Sequence, residues 1–442
     1  MNHSYMDIGQ RVKTYRLNRG LSQDELAEGI CSRQTISLLE NGQHLPSAEF
    51  MKKIAVKLGI SFHEIMVDQV NNLEAKVQLD IIKVYVETAD YANALPLIEE
   101  CEDREDLLEF QRRELVLLKA ECLTRTGKSA EAIKLLTDLQ QRLELERDAD
   151  DHFMAILYDR LGTASYFLSN IANAHAYYMR AYQLTLRFPM LDLTAARISY
   201  NLGMVCRQLN RQIDSIEYLR KAESFFKVIS DSKRLAQVLF ELGIAYRFGG
   251  DLVRADKYLQ ESLVLYKQLN FVNMAYMVRE SYAFTVMSRH QPEQAIEELL
   301  ECIKEFEKDG NLLLVSFTYA RIAYIRLKQR DIKGAEFFLQ KSTDLFTKEE
   351  AFGNPRLAYV LRVKSMHYLE INNFVKCIEF SNLSSEIFDT IGLVTEAAES
   401  LKLSAEAYRR QREYKEADAV SQKIIDFLVR SKDSISKVEA YF

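Results

Sequence analysis

A small residue returns at a nearly constant interval along most of this 442-residue chain. Ala94, Ala132, Ala174, Ser215, Ala255, Ala295, Ala335, Cys377 and Ala417 are separated by 38, 42, 41, 40, 40, 40, 42 and 40 residues. A unit of this length cannot bury its own apolar face and must stack on its neighbours, so the period predicts a helical solenoid over residues 73–442. Such an array offers a long surface for holding a ligand. Apolar residues fall in register with the period: Leu161-Gly162 precedes Ala174, Tyr178 and Ala181, Leu202-Gly203 precedes Ser215, Leu219 and Ala222, and Leu242-Gly243 precedes Ala255 and Leu259. Small residues here let two helices approach closely while large ones fill the gaps.

Only 5 Pro and 15 Gly interrupt the chain, which favours helix nearly throughout. No apolar run reaches the roughly 18–20 residues that span a bilayer, and the N-terminus has no signal-peptide pattern, so a cytoplasmic protein with no membrane partner is expected. The cysteines are scattered, form no CxxC and sit at small or apolar helical positions, the pattern of buried free thiols. The histidines have no metal-ligand spacing, and no Ser/His/Asp constellation or phosphate loop occurs. We therefore expect no cofactor, no metal and no enzyme activity. The net charge of -6 lies wholly beyond residue 70, since residues 1–70 carry eight Lys/Arg against eight Asp/Glu. An acidic array repels nucleic acid, so DNA contact is expected only from the N-terminal segment.

Five short helices can be read in that segment. The first covers Ile8–Asn18, with Ile8, Val12 and Tyr15 inward and Arg11, Lys13, Arg16 and Arg19 around the rest. Ser22 and Glu25 form a capping box for the second helix. Ser32 caps the third, Arg33–Glu40, which turns Ile36 and Leu39 inward and ends at Asn41-Gly42. Pro46-Ser47 opens the fourth, and Ser61 caps a fifth, Phe62–Met66, ahead of a short polar joint at 69–72. This is a helix-turn-helix pattern. Its Leu21-Ser22-Gln23, Leu26-Ala27, Thr35-Ile36, Leu39-Glu40-Asn41-Gly42 and Leu58-Gly59 resemble the phage-repressor-like (XRE) class closely. Arg33, Gln34 and Ser37 then point outward near the end of the third helix that enters the major groove. Arg can pair with guanine and Gln with adenine. The resemblance places Ser32, Thr35, Gln23, Arg11 and Asn41 where phosphates are held, contacts that fix register. The low basicity argues for dimers on a two-fold site.

The array pattern is that of tetratricopeptide repeats stretched from 34 to about 40 residues. The outward residues of each first helix should line its concave side. They include Asp159 and Arg160; Arg197, Tyr200, Asn201 and Met204; Gln237, Phe240, Glu241 and Ile244; Met277 and Glu280; Phe317, Arg321 and Tyr324; and Tyr359, Arg362 and Met366. Amides can bond a peptide backbone while aromatics and Met pocket its side chains. Asn201, an amide in the stretch Tyr200-Asn201-Leu202-Gly203, needs a partner and is the foremost candidate.

Taken together, a reader at 1–68, a linker at 69–72 and an array at 73–442 resemble the RRNPP family of Gram-positive peptide-pheromone receptors, in the NprR-like layout. The resemblance implies an all-α chain: a five-helix reader followed by a right-handed superhelix of about nine hairpins. It implies a transcription regulator acting in quorum sensing. A short re-imported signalling peptide would bind the groove, with Asn201 on its backbone, and change operator binding and homo-oligomeric state, dimer or tetramer. A different class of reading is an adaptor whose array holds a protein such as a sporulation-phosphorelay response regulator. A third, a Rap-like phosphatase, fits less well because a DNA reader occupies the N-terminus where that class carries its catalytic bundle.

Overall fold

The computed structural model describes residues 3–440 apart from 45, 46, 61, 105, 147–149, 189, 191 and 348–352. The described residues are all helical or connecting, with no strand, and form two compact units, Met1–Lys128 and Ser129–Phe442.

The first unit begins with α1 (His3–Asn18), α2 (Gln23–Ala27), α3 (Arg33–Glu40) and α4 (Ala48–Leu58). Ile8, Val12, Leu26, Ile36, Leu39, Ile54, Leu58 and Ile65 are fully buried in one cluster. Burying each such side chain contributes roughly 1.5–3 kcal/mol. At Gly9, α1 crosses α3 so closely that a Cβ would sit 2.1 Å from the Leu39 carbonyl oxygen. Gly29, with φ +75, turns the chain between α2 and α3. Arg16 departs from the expected solvated position. It is buried, and its guanidinium grips the buried Glu40 carboxylate through Nε–Oε1 (2.6 Å) and Nη2–Oε2 (3.0 Å). The two charges enter the core together because a bidentate pair satisfies both. The Glu40 hydrogen bond also raises the Arg16 pKa.

The fifth helix does not stop at Met66. α5 runs unbroken over Phe62–Glu87, so the joint placed at 69–72 lies inside a helix. The segment contains neither Gly nor Pro, and polar residues in mid-helix cost too little to halt propagation from both sides. The expected caps at Pro46 and Ser61 lie outside the described residues. α5 packs with α6 (Tyr91–Glu102) and α7 (Glu109–Arg125), placing the first repeat in the same compact unit as the reader.

The second unit holds α8 (Ser129–Glu146) and seven helical hairpins: α9 (Asp151–Phe167) with α10 (Ile171–Thr185), α11 (Leu193–Gln208) with α12 (Gln212–Val228), α13 (Ser232–Phe248) with α14 (Leu252–Gln268), α15 (Val272–Thr285) with α16 (Pro292–Lys308), α17 (Leu312–Lys328) with α18 (Ile332–Thr343), α19 (Pro355–Glu370) with α20 (Phe374–Thr390), and α21 (Val394–Gln411) with α22 (Tyr414–Ala440). Among the described residues, α5 to α22 make nine successive helix pairs in sequence, as the period requires.

The period has one geometric origin. In six hairpins a small buried residue of the first helix stands twelve positions before its counterpart in the second: Gly162 and Ala174, Gly203 and Ser215, Gly243 and Ala255, Ala283 and Ala295, Ala323 and Ala335, Ser365 and Cys377. All of these lie in the buried interior. A Cβ at Gly162, Gly203 or Gly243 would come within 2.6–2.7 Å of Tyr178, Leu219 or Leu259 respectively. Ser215 Oγ donates to the Gly203 carbonyl (2.7 Å), and Ser365 Oγ to that of Cys377 (2.8 Å). Corners repeat as well. Asn170, Asp251, Asp331 and Asn373 each cap the second helix of a hairpin through the third amide of that helix. Within the unit, the α9–α10 turn reaches the segment before α19, where Ser169 Oγ donates to the Gly353 carbonyl (3.1 Å).

The cysteines match expectation: Cys101, Cys122, Cys206, Cys302 and Cys377 are buried free thiols and Cys31 is partly buried. No helix among the described residues is long and apolar enough to cross a membrane.

Candidate DNA-reading face and groove

The reading face is built on α3. Ser32 adopts an extended conformation, and its Oγ accepts from the Thr35 amide (3.2 Å) and lies 2.9 Å from Thr35 Oγ1. This cap fixes the helix start, so burial of Ile36 and Leu39 turns Arg33 and Gln34 fully outward in the first turn. Ser37, one turn on, is half-buried and Asn41 is exposed at the C-cap. Arg33 has only a loose exposed neighbour, Asp24 at 3.7 Å, worth little in water. α2 is held by its expected capping box, and the Ser22 amide keeps the Glu25 carboxyl below the usual range.

Two of the residues expected at phosphates are bonded into the body of the reader instead. Gln23 Nε2 donates to Glu40 Oε2 (2.8 Å), which joins it to the buried Arg16 pair. Arg11 Nη1 donates to the Ile65 carbonyl (3.1 Å), tying α1 to α5.

In the second unit, expected groove residues are tied across successive first helices, some to one another and some to the unexpected Arg207 and Glu396. Asp159 on α9 is fully buried. It accepts from Asn201 Nδ2 on α11 (2.8 Å), and Arg197 Nη2 stands 3.1 Å and Arg160 Nη1 3.9 Å from its other oxygen. The partner that Asn201 needs is thus Asp159. Arg207 on α11 donates through Nε to Glu241 on α13 (2.6 Å). Glu280 on α15 takes Nη1 of Arg321 on α17 (2.5 Å), and Arg362 on α19 takes Glu396 on α21 (2.5 Å). Each tie joins neighbouring hairpins and desolvates charge, so breaking one strands a buried group. Tyr200, Met204, Gln237 and Phe240 are half-buried between these ties, and burial pushes the Tyr200 hydroxyl well up. Tyr324 meets Phe284 edge-on at 5.7 Å.

The two halves match known proteins separately and together. A helix-turn-helix model matches residues 12–65 and a tetratricopeptide-repeat model matches residues 196–225. HTH-type transcriptional regulator SinR of Bacillus subtilis (strain 168) is 39% identical over 75 residues, 16% of this chain and 67% of SinR. Transcriptional activator NprA of Geobacillus stearothermophilus is 23% identical over 358 residues, 78% of this chain and 83% of NprA. The chain belongs among the helix-turn-helix transcription regulators, with tetratricopeptide repeats beyond the reader. Its fold is similar to that of solved structures: a Rap protein complexed with competence and sporulation factor aligns over 82% of this chain and 99% of its own, with TM-score 0.63 at 14% identity. The apo form of the quorum sensor NprR from B. thuringiensis aligns over 80% and 99%, with TM-score 0.57 at 13% identity. The relatives matched by sequence are transcription regulators by name, not enzymes.

Several further inward residues were not singled out by the sequence pattern: Tyr166, Arg207, Arg247, Phe284 and Arg356. A signal for three of them was present. The helical stripe that passes Met204 and Ile244 reaches Arg207 and Arg247 three residues later, and Arg356 lies three before Tyr359. Tyr166, which accepts from Gln208 Nε2 (2.9 Å), sits at a position that pattern alone assigns to the core.

Proposed function

We propose that this chain is an RRNPP-family protein, a cytoplasmic transcription regulator whose operator binding is switched by a short signalling peptide held in the groove of its repeat array. The observation that carries the reading is one chain joining an exposed Arg33-Gln34 pair on a recognition helix to an array lined by alternating charged, amide and aromatic residues. The aligned solved structures include NprR in complex with its cognate peptide NprX, with TM-score 0.57 at 13% identity. In our reading Arg33 and Gln34 read base edges, while Ser32, Thr35, Ser37 and Asn41 hold the backbone beside them. Gln23 and Arg11 brace the face from behind. The reader works as a homodimer on a two-fold operator, and the functional division of the chain falls within α5, near residues 69–72.

The test has two arms. DNA sites are selected from a random pool by the wild-type protein and heptapeptides are selected likewise. Arg33→Ala weakens the selected DNA by about 5–150-fold, the equivalent of ~1–3 kcal/mol, and leaves peptide affinity unchanged. Asn201→Ala weakens the selected peptide in calorimetry and leaves DNA affinity without peptide unchanged. Equal footprints from wild type and Arg33→Ala remove α3 from base reading. A second reading, an array that holds a response-regulator protein, is favoured by the fold likeness to aspartyl phosphate phosphatase F from Bacillus subtilis, with TM-score 0.51 at 14% identity. It prevails if the array retains such a protein and no peptide.

A further inference from the structure

Inside the second unit, cations and rings alternate along the first helices of four successive hairpins. The Arg247 guanidinium on α13 lies 5.8 Å from the Phe284 ring on α15, and Arg321 on α17 lies 4.6 Å from the same ring. Arg321 is also 4.4 Å from Phe317, and Arg356 on α19 is 5.9 Å from that second ring. Tyr359 closes the row, edge-on to Phe317 at 5.3 Å. Three guanidiniums thus share a short ladder, and among the described residues the one carboxylate tied to them, Glu280, is bonded to Arg321.

Arg247 and Arg356 have no carboxylate within salt-bridge distance among the described residues, unlike Arg207, Arg321 and Arg362 beside them. Arg247 Nε, Arg321 Nε and the Tyr359 hydroxyl are buried without a hydrogen-bond partner. Burial, reinforced by the Arg321 charge, pulls the Arg247 pKa down, and burial followed by Arg321 does the same to Arg356 against the opposing pull of Glu280. Bringing like charges together out of water without a counterion is costly. Rings around them supply only part of the missing solvation. A fold tolerates such an arrangement where a ligand completes it.

We propose that Arg247 and Arg356 form a carboxylate-binding subsite of the groove, with the unpartnered Tyr359 hydroxyl as its third donor. The assignment rests on the peptide reading above and adds the chemistry of the ligand: a peptide that brings a carboxylate to this end of the array, either its C-terminus or an Asp or Glu side chain. A guanidinium accepts a carboxylate in bidentate fashion, and an anion lying along this row would exchange the repulsion that each of the two cations feels from Arg321 for charge-assisted hydrogen bonds. Arg321 stays with Glu280 and spaces the two free cations.

The test uses full-length protein and three pools of random heptapeptides: one with no acidic residue and an amidated C-terminus, one identical but with a free C-terminus, and one amidated with a single Asp or Glu. Retention is read by ultrafiltration and mass spectrometry. At least one carboxylate-bearing pool is retained about 10-fold or more above the neutral pool, given that hydrogen bonds to charged groups are worth ~1.5–3 kcal/mol. Which of the two is retained identifies the source of the carboxylate. The R247Q/R356Q variant loses that preference while still retaining neutral peptides, and it melts no lower than wild type because the repulsion of both side chains from Arg321 has been removed. Equal retention of all pools by wild type overturns the subsite, and so does a preference that survives in R247Q/R356Q. Retention of no pool overturns the peptide reading itself, and the subsite with it. The wild-type comparison decides the matter even if the variant fails to fold.

Discussion

The reader and the array use opposite constructions. In the reader every important contact occurs once: Gly9 against the Leu39 carbonyl, Arg16 against Glu40, Gln23 against the same carboxylate. In the array one pairing recurs, a small buried residue of a first helix with another twelve positions on, and several neighbouring pairs of hairpins add a charged tie of their own. The placement of functional groups inverts too. The reader buries its structural charges and leaves Arg33 and Gln34 in water, where a rigid duplex can reach them. The array keeps its charges inside, where a flexible ligand must come to them. A single-use core fails all at once, whereas a repeated one fails locally, because each hairpin is held mainly by its neighbours.

The largest effect should come from the reader. Glu40→Ala leaves Arg16 buried without its anion, and breaking such a pair costs about 3–5 kcal/mol. Hydrogen exchange should accelerate throughout α1–α4 and stay unchanged in α9–α21. Acceleration confined to α3 would mean that the reader, too, comes apart piecemeal. The same small substitution made in each region sharpens the contrast. Gly9→Ala meets a backbone oxygen that cannot move aside and should cost about 3 kcal/mol, the upper end for overpacking. Gly243→Ala meets Leu259 Cγ at 2.6 Å with the Leu259 backbone nitrogen farther off at 3.1 Å, so the side chain takes most of the strain, and about 1 kcal/mol of helix propensity offsets part of it, for a net loss of roughly 1 kcal/mol. Equal losses in thermal denaturation would erase the distinction between the two kinds of contact.

The smallest effect concerns pH. Burial pushes His175 on α10 down to about 4, with Arg211 alongside at 3.3 Å lowering it further and Asp214 opposing. The folded protein therefore holds the neutral imidazole, whereas the unfolded chain takes up a proton near pH 6.5. This stabilisation is complete above about pH 6.5 and declines as the pH falls toward 4, with about 2 kcal/mol lost by pH 5. Urea denaturation of wild type and His175→Gln at pH 7 and pH 5 should show the acid loss reduced by that amount in the variant. An identical acid loss in both would remove His175 as its source.

The chain's own pattern carried the repeat, the number of helix pairs and the start and end of α3. These follow from local signals: small residues at fixed intervals, caps, and apolar residues at helical spacing. The exposure of Arg33 and Gln34 was legible for the same reason, since burying Ile36 and Leu39 leaves them no other side. Three features were decided only when distant segments met. Arg16 looks like one more solvated cation until α3 brings Glu40 against it. The joint at 69–72 looks like a break until both flanking helical segments propagate through it. Asn201, Arg247 and Arg356 look equivalent as polar residues on an inward stripe. Tertiary structure separates them: Asn201 is bonded to an anion from the preceding hairpin, while Arg247 and Arg356 converge with Arg321 on rings from neighbouring helices and find no anion. Periodicity sets which way a side chain faces, but its partner comes from residues some 40 positions away, whose charge no local pattern encodes.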